Sequence, residues 1–318
     1  MNNEKIVDVV IPTCWPDKRL AEILEILARQ TLPIRCIRVI NTDRNGFAHF
    51  LEEEGMTQEQ LFARYPNLEV CHILPAEFDH GATRSKGFRM CEGAEYVLTM
   101  TQDALPEGNT LVEELEKPLE EMADAAVSYA RQLPNANAAA EERISRGFNY
   151  PEQPAVKSWE DRGELGIKTF FCSNVCAMYR LDLWKELGGF PERTIFNEDM
   201  IYACRAEKAG YRIAYAANAR VFHSHSYNAR QQFHRNFDLG VSQAQNPDVF
   251  EGLSSEGEGM RYVTAVARQL QKEHQTWQIP GFLMRCAARL AGYRLGKGYQ
   301  KLPKVMAIWC SSNKEFWK

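Results

Sequence analysis

The 318-residue sequence lacks the short motifs that define several large classes of nucleotide- and metal-binding protein. The turn after its first apolar run, PTCWPDKR, contains no glycine, which excludes the GxGxxG fingerprint of dinucleotide-binding folds, and no GxxxxGK(S/T) phosphate-binding loop occurs elsewhere. Its nine cysteines include no CxxC pair, so the sequence offers no zinc ribbon. A ligand site in this protein has to be built from other residue types.

Long apolar runs and an excess of positive charge are also missing. No stretch approaches the roughly 18 apolar residues of a membrane-spanning helix, and MNNEKIVDVVIPT enters a strand pattern without the apolar core of a signal peptide. The net charge of −4 argues against a protein that binds nucleic acid. Cysteines scattered through apolar runs are typical of small core residues in a reducing compartment. We therefore expect a cytoplasmic protein, soluble or peripheral on the inner face of the cell membrane.

What the sequence does contain is a regular alternation of strand and helix patterns. Short apolar runs predict buried strands at IVDVVIP, IRCIRVIN, LEVCHILPA and EYVLTMTQ, and DKRLAEILEILARQ predicts a helix capped by Asp17. Such alternation predicts an α/β fold with a mostly parallel, Rossmann-like central sheet flanked by helices. We place this domain at residues 1–245 and a helical, basic extension at residues 246–318. Within the domain, residues 134–168 are polar with little periodicity, which is typical of a functional or mobile segment.

The carboxyl-terminal extension differs from the rest of the chain in charge. Residues 280–318 contain eight Lys or Arg and one acid, Glu315, so this segment carries +7 and the remainder −11. A basic segment with interspersed apolar residues is typical of a helix at a membrane surface. Gly292, Gly296 and Gly298 are expected to interrupt such a helix, and a helical pair that packs back on the domain fits equally well. The sequence leaves both interpretations open.

Polar residues cluster where the predicted strands end. Ligands of an open α/β sheet bind beyond the carboxyl ends of its strands. The residues at these ends, or at the start of the helices that follow, are Pro12, Thr13, Asp43, His80, Arg84, Gln102, Asp103, Glu198, Asp199, His223 and His225. Acids, an arginine and histidines along one edge indicate a site for a metal-bound phosphate rather than for a hydride-carrying cofactor.

Six segments resemble, in order and spacing, the motifs of the inverting glycosyltransferases of family 2, which have the GT-A fold. They are VDVVIPT, NTD, HGATRSKG, TQDA, GGFPERTIFNED and FHSHSY, and they span about residues 6–245. The variants TQDALP and HSHSY look most like the bacterial rhamnosyltransferase branch. The resemblance implies transfer of a sugar from a nucleoside diphosphate to a hydroxyl group, with a divalent metal, Mg²⁺ or Mn²⁺, on the diphosphate.

The resemblance also implies the metal ligands. Asp103 matches the last acid of the family's DxD motif, whose first acid is replaced here by Thr101. A cap for the following helix is the alternative role of Asp103, although Asn109 is better placed for capping. His223 and His225, two apart on a strand, present their rings to one face. The family pattern makes one of them, preferably His223, a metal ligand, and the alternative is a histidine pair bonded to the backbone.

Two acids match the family's ED motif, in which the Asp deprotonates the acceptor hydroxyl. Asp199 is then the general base, and Glu198 orients the site or the acceptor. The alternative is that both acids simply favour the positive end of a helix dipole.

The remaining matches concern the donor. Arg84 would pair with phosphate or base, or else lie on a solvated helix face. Asp43 resembles the acid that hydrogen-bonds the base or ribose, and its alternative is a turn within NTDRNG. Ser173 and Asn174 would contact the sugar. Pro12, Thr13, His80 and Gln102 complete the predicted donor site.

The function predicted from these residues is the transfer of L-rhamnose from dTDP-L-rhamnose to a bacterial surface polysaccharide or its lipid-linked precursor. Another deoxyhexose or a hexose is the nearest alternative donor sugar, and UDP is the alternative nucleotide. A sugar-phosphate nucleotidyltransferase is a rival, but it would need a glycine-rich loop after the first strand. The second rival is a catalytically silent nucleotide-sugar-binding or scaffold protein, which the loss of the first DxD acid permits.

Overall fold

A computed structural model describes residues 5–225, 227–252 and 256–318 of the chain. Nine strands lie in these ranges: β1 Val7–Cys14, β2 Ile34–Thr42, β3 Leu68–Ile73, β4 Tyr96–Met100, β5 Leu105–Pro106, β6 Ala125–Leu133, β7 Ala155–Lys157, β8 Cys176–Arg180 and β9 Arg212–Phe222. The helices there are α1 Lys18–Leu27, α2 Arg44–Glu53, α3 Gln58–Arg64, α4 His80–Arg89, α5 Leu111–Glu121, α6 Ala140–Asn149, α7 Arg162–Leu165, α8 Leu181–Glu186, α9 Glu198–Lys208, α10 Ala229–Gln245, α11 Pro247–Phe250, α12 Glu256–Lys272, α13 Ile279–Lys297 and α14 Lys304–Cys310.

The strands form one mixed sheet in the order β3-β2-β1-β4-β8-β6-β9-β5, with β7 also paired to β9. The half from β3 to β4 is parallel, as is the β6–β9 pair. β8 runs antiparallel between β4 and β6, and the short β5 and β7 pair antiparallel to β9. The α/β prediction is confirmed, with the refinement that the parallel arrangement dominates only the amino-terminal half.

Two hydrophobic layers cover the two faces of the sheet. Along β1, Val7, Val9 and Ile11 pack into one layer and Val10 into the other, as the two-residue period of a strand requires. The predicted cap of α1 is confirmed, because the Asp17 carboxylate accepts a hydrogen bond from the Arg19 N–H at 2.9 Å. The cysteines are unpaired, and all but Cys14 are buried or partly buried, as expected of small core residues.

One strand pairing brings distant polar segments together. Leu105 in β5 pairs with Phe222 in β9, so the loop after β4 lies beside the residues that follow β9. The carboxyl ends of β4 and β9 therefore deliver their polar residues to the same edge of the sheet. The amino termini of α4 and α9 supply side chains to the same region.

Residues 134–168, which the sequence shows as unpatterned, contain ordered elements. Helix α6, the edge strand β7 and the short helix α7 all lie within this segment. Helix α6 has a polar composition because several of its side chains face a large cavity rather than the core. The interpretation of this segment as functional thus gains structural support.

The carboxyl-terminal helices pack back on the domain, mainly through α10 and α13. Neither Gly292 nor Gly296 interrupts α13, contrary to the sequence-based expectation, and Gly298 is its C-cap. A methyl group at Gly292 would collide with the carbonyl oxygen of Phe233, and one at Gly296 with that of Phe237. The glycines therefore permit close backbone contact between α10 and α13. This contact crosses the predicted boundary at residue 245, which stays a prediction.

Within the described ranges, no helix combines the length and apolar character needed to cross a bilayer.

We expect Gly296→Ala to destabilise the protein by about 1–3 kcal/mol, because an added methyl group has no room between two helix backbones. Gly281→Ala, on the same helix, is the matched control, since its methyl group would approach only the flexible Arg285 side chain, at 3.4 Å. The control should leave stability unchanged or raise it slightly. Urea denaturation followed by circular dichroism measures both. Equal effects of the two substitutions would contradict the proposed close contact.

Candidate active site

A cavity of about 900 Å³ opens at the carboxyl edge of the sheet. Its walls come from α4, the loop after β4, α6, the segment before β8, α9, the residues after β9, and the helices α10, α12 and α13. The predicted site residues among its lining are His80, Arg84, Asp103, Ser173, Asn174, Glu198, Asp199, His223 and His225. The structure therefore gathers most of the predicted site around one space.

Asp103, His223 and His225 converge at one end of the cavity. The Asp103 carboxylate lies 3.0 Å from Nε2 of His225 and 3.6 Å from Nε2 of His223, and the two Nε2 atoms are 2.9 Å apart. In the part of the chain that the structure describes, this is the one cluster of three such groups close enough to share a metal ion. Both rings approach the carboxylate, although the two histidines follow β9 and do not lie on the strand as predicted.

Asp103 is not a helix cap. Helix α5 begins after Thr110, which is its N-cap in place of the predicted Asn109. Burial alone would raise the pKa of the Asp103 carboxyl, but its hydrogen bond with His225 and the neighbouring His223 hold that pKa well below its usual range. The carboxylate is therefore ionised at neutral pH, the form in which it can bind a cation.

Gln132, at the end of β6, fixes the orientation of His223. Nδ1 of His223 lies 2.8 Å from Oε1 of Gln132. Because an amide oxygen can only accept, this contact assigns the proton to Nδ1 and leaves the Nε2 lone pair directed at Asp103 and His225. The Gln132 amide in turn donates to Tyr150 and to Ser173. Burial lowers the pKa of His223 to about 3, so the ring is neutral. A neutral imidazole held by an outer partner is the usual form of a metal-binding histidine.

A second carboxylate with unusual chemistry lies at the amino terminus of α9. Asp199 accepts hydrogen bonds from the backbone N–H of Asn174 at 3.1 Å and of Met200 at 2.8 Å. Burial and the adjacent charge of Glu198 nevertheless raise the pKa of Asp199 to about 7. A carboxylate that lines a cavity and has a pKa near neutrality is suited to accept a proton.

Glu198 has a different environment and is occupied by partners. Its carboxylate forms an ion pair with Arg84 at 3.1 Å and accepts a hydrogen bond from the Asn174 side chain at 3.1 Å. The Arg84 and Glu198 side chains are only 7% and 8% exposed. Burial would raise the pKa of Glu198, but the charge of Arg84 keeps that pKa lowered. Glu198 is thus held by buried partners at the start of α9, and Arg84 lies in a buried ion pair rather than on a solvated helix face.

Four predicted donor residues lie outside the cavity lining. In the described ranges, that lining does not include Pro12, Thr13, Asp43 or Gln102. Pro12 and Thr13 end β1, and the Thr13 hydroxyl donates to Asn41 at 2.9 Å. The Gln102 side chain bonds both backbone groups of Cys14 and thereby ties the loop after β4 to the end of β1.

Asp43 shows the turn geometry that the sequence offered as its alternative role. It caps α2 by accepting a hydrogen bond from the Asn45 N–H at 3.0 Å, and its backbone has φ of +73°. Trp15, an exposed residue that also has positive φ, packs over Gly46 next to this cap. Sequence analysis did not select Trp15. Its only distinguishing feature in the sequence is that it is an aromatic residue in a polar turn.

Other residues that line the cavity were not selected by sequence analysis. They are Arg146 of α6, Tyr262 of α12, and Arg285 and Arg289 of α13. Arg289 donates to the Tyr262 hydroxyl at 3.2 Å, and Arg285 forms an ion pair with Glu141. No single-sequence motif marks these positions, because they meet only through the packing of α12 and α13 against α6.

One metal-type triad and one carboxylate of raised pKa at an α/β sheet edge are groups that a transferase or hydrolase uses on a phosphorylated ligand. The family is settled by comparison. The chain belongs to glycosyl transferase family 2, whose profile matches residues 8–188. The predicted glycosyltransferase is thereby confirmed.

Two curated relatives are similar over most of their length. The O-antigen chain rhamnosyltransferase WbaN of Salmonella anatum is 42% identical over 258 residues, which is 81% of this chain and 81% of that protein. The O-antigen chain rhamnosyltransferase RfbN of Salmonella typhimurium is 38% identical over 312 residues, which is 98% of this chain and 96% of that protein. The predicted resemblance to bacterial rhamnosyltransferases is confirmed.

The fold also has a counterpart among solved structures. A mannosyltransferase from Pyrobaculum calidifontis, in complex with GDP-Man and Mn²⁺, superimposes with a TM-score of 0.57. The match covers 97% of this chain and 86% of that chain at 15% identity. At this identity the likeness shows the fold alone, and it confirms the GT-A prediction.

We expect Arg84→Leu to destabilise the protein by about 3–5 kcal/mol, because it leaves Glu198 as a buried carboxylate without its cationic partner. The double substitution Arg84→Leu with Glu198→Leu should recover part of this loss. Arg89→Leu on the same helix is the control, since the Arg89–Glu192 pair is 61% and 63% exposed. That control should cost below about 1 kcal/mol. Similar losses in Arg84→Leu and Arg89→Leu, measured by urea denaturation, would show that the buried pair does not stabilise the site.

Proposed function

We propose that this protein is an inverting glycosyltransferase that moves L-rhamnose from dTDP-L-rhamnose to a hydroxyl group of a lipid-linked O-antigen saccharide. Support for the sugar comes from two relatives that are named rhamnosyltransferases. The observation that carries the mechanism is the presence of Asp199 and the Asp103/His223/His225 triad around one cavity. Sugar transfer from a diphosphate requires a group that accepts a proton and a separate site that binds charge. Both line this cavity.

Asp199 acts as the general base in this proposal. The acceptor hydroxyl gives its proton to the Asp199 carboxylate as its oxygen attacks the anomeric carbon of the donor. The bond between that carbon and the diphosphate oxygen breaks with its electron pair, and the nucleoside diphosphate leaves from the opposite face. The new glycosidic bond therefore has inverted configuration. Backbone hydrogen bonds from Asn174 and Met200 fix the direction of the carboxylate.

The residues of the triad fit a divalent metal ion. Neighbouring ligands of an octahedral ion with bonds of about 2.1 Å lie about 3 Å apart. The triad atoms are separated by 2.9 to 3.6 Å. Such an ion would supply positive charge to the leaving diphosphate. Two imidazoles with one carboxylate favour Mn²⁺ over Mg²⁺, since Mg²⁺ prefers a shell of oxygen atoms.

The donor and acceptor occupy different parts of the edge. The nucleoside lies against Thr13, Asp43 and the exposed face of Trp15, at the ends of β1 and β2. The acceptor saccharide lies at the end of the cavity formed by α6, α12 and α13, where Tyr262 offers a ring face and Arg289 a hydrogen-bond donor. An acceptor attached to lipid places the enzyme at the inner face of the cell membrane.

Asp199→Asn should lower the rate of rhamnosyl transfer by about 10²–10⁴-fold, because an amide cannot accept the hydroxyl proton. Binding of dTDP, measured by calorimetry, should be retained. Asp248→Asn, at an exposed acid of α11, is the control and should transfer at the normal rate. The assay is release of dTDP together with a labelled lipid-linked product, with dTDP-rhamnose and UDP-glucose compared as donors. Near-normal transfer by Asp199→Asn would contradict the assignment of the base.

The same assignment predicts the pH dependence of that transfer. Since the pKa of Asp199 is raised to about 7, kcat/KM should increase as the pH rises through this value and the carboxyl loses its proton. A profile that is flat over about two pH units on either side of this pKa would rule out Asp199 as the titrating base.

The triad should bind Mn²⁺ more tightly than Mg²⁺, and chelation should abolish transfer. Gln132→Leu should weaken Mn²⁺ binding by about 10–100-fold, because it removes the partner that orients His223. His223→Ala should weaken it further, whereas His49→Ala, at an exposed histidine outside the cavity lining, should not change it. The free Mn²⁺ signal in electron paramagnetic resonance measures each affinity. Undiminished Mn²⁺ binding by His223→Ala would show that the ion is held elsewhere.

A further inference from the structure

Helix α13 has an apolar face that the rest of the protein leaves uncovered. Its inner side packs against the domain through Phe282, Gly292 and Gly296. Its exposed residues recur every three or four positions and therefore form one stripe along the helix. The stripe consists of Pro280, Leu283, Met284, Ala287, Leu290 and Ala291, followed by Arg294 and Lys297. Six successive members of the stripe carry no polar group.

The exposure of these side chains is substantial. Leu283 is 45% exposed, Met284 60% and Leu290 43%. Trp277, in the 3₁₀ turn Thr276–Gln278 immediately before the helix, is 77% exposed. Large apolar side chains grouped along one helix face are unusual on a surface that remains in water. A contiguous stripe of this kind indicates an interaction surface.

The charged residues of the segment that carries the stripe are of one sign. Residues 274–314 contain no Asp or Glu, and the exposed stripe ends in two cations, Arg294 and Lys297. Helix α14 repeats the combination, with Lys304 next to exposed Val305, Met306 and Trp309. Exposed tryptophan, aliphatic side chains and cations without acids are complementary to the apolar and anionic layers of a lipid surface.

We propose that the exposed stripe of α13, together with Trp277 in the preceding turn, docks on an anionic lipid bilayer. The helix lies in the plane of the interface, with Leu283, Met284 and Leu290 in the acyl boundary and Arg294 and Lys297 among the headgroups. The opposite charge of the remaining chain, −11 against +7 for residues 280–318, favours an orientation with the carboxyl-terminal helices toward the lipid. This surface rests on no part of the transferase assignment.

Docking through this stripe has a consequence for the site. Arg285 and Arg289 belong to the same helix and line the cavity. The cavity end formed by α6, α12 and α13 is therefore brought next to the bilayer when α13 binds. A lipid-linked acceptor could then reach the cavity while its lipid stays in the membrane.

The test is co-flotation of the full-length protein with vesicles, without donor or acceptor. Vesicles of phosphatidylglycerol and phosphatidylcholine in equal parts should bind the protein, and pure phosphatidylcholine vesicles should bind it at least about tenfold less. The variant Leu283→Glu with Met284→Glu should lose binding to the anionic vesicles by at least about tenfold. Leu74→Glu, at an exposed leucine in the amino-terminal half, is the control and should bind as the unchanged protein does.

Further measurements distinguish a loss of vesicle binding from unfolding and from a loss of sugar transfer. Circular dichroism and the melting temperature establish that both variants are folded, and Asp199→Asn should bind vesicles normally even when it transfers no sugar. Absence of vesicle binding by the unchanged protein, or equal binding by the double variant, would overturn the proposal. Light scattering that shows a dimer dissociated by Leu283→Glu with Met284→Glu, without vesicle binding, would also overturn it and assign the stripe to self-association.

Discussion

The buried ion pair between Arg84 and Glu198 joins two helices, α4 and α9, that supply side chains to the candidate site. Arg84 belongs to α4, which follows β3, whereas Glu198 begins α9, which lies more than a hundred residues later. Asn174 joins the same network, because its side chain bonds Glu198 and its backbone N–H bonds Asp199. Burial raises the pKa of Asp199, and the charge on Glu198 raises it further. The network around Glu198 thus contributes to both the position and the basicity of the Asp199 carboxylate.

The metal-type triad depends on a different constraint, the short antiparallel pairing of β5 with β9. This pairing is only two residues long, yet it brings Asp103 to the histidines that follow β9. Gln132 lies on β6, which pairs in parallel with β9, and its hydrogen bond with His223 fixes the orientation of that ring. Where the DxD motif has two acids, this chain brings one acid together with two imidazoles and the outer partner of one of them.

Helix α13 connects the site to the surface of the molecule. One side is in close backbone contact with α10 through glycines, a second supplies Arg285 and Arg289 to the cavity, and a third is apolar and exposed. The glycines that looked like helix breakers in the sequence make this arrangement possible, because larger residues would separate α13 from α10. The two sequence interpretations of the tail, packing back and facing outward, therefore apply to different faces of one helix.

The sequence by itself determined the α/β class, the family, and the chemistry at the strand ends, because strand periodicity and the order of short motifs are local properties of the chain. It identified Asp103, Asp199 and both histidines for this reason. Only the tertiary structure decided which of these residues meet, that Glu198 is neutralised by Arg84, and that Asp43 caps a helix. It also decided the roles of Gln132, Tyr262 and Arg289, because long-range packing places them and no local pattern records it. The physical reason is that pKa values and contacts depend on neighbours supplied by distant segments, whereas propensity and motif depend on adjacent residues.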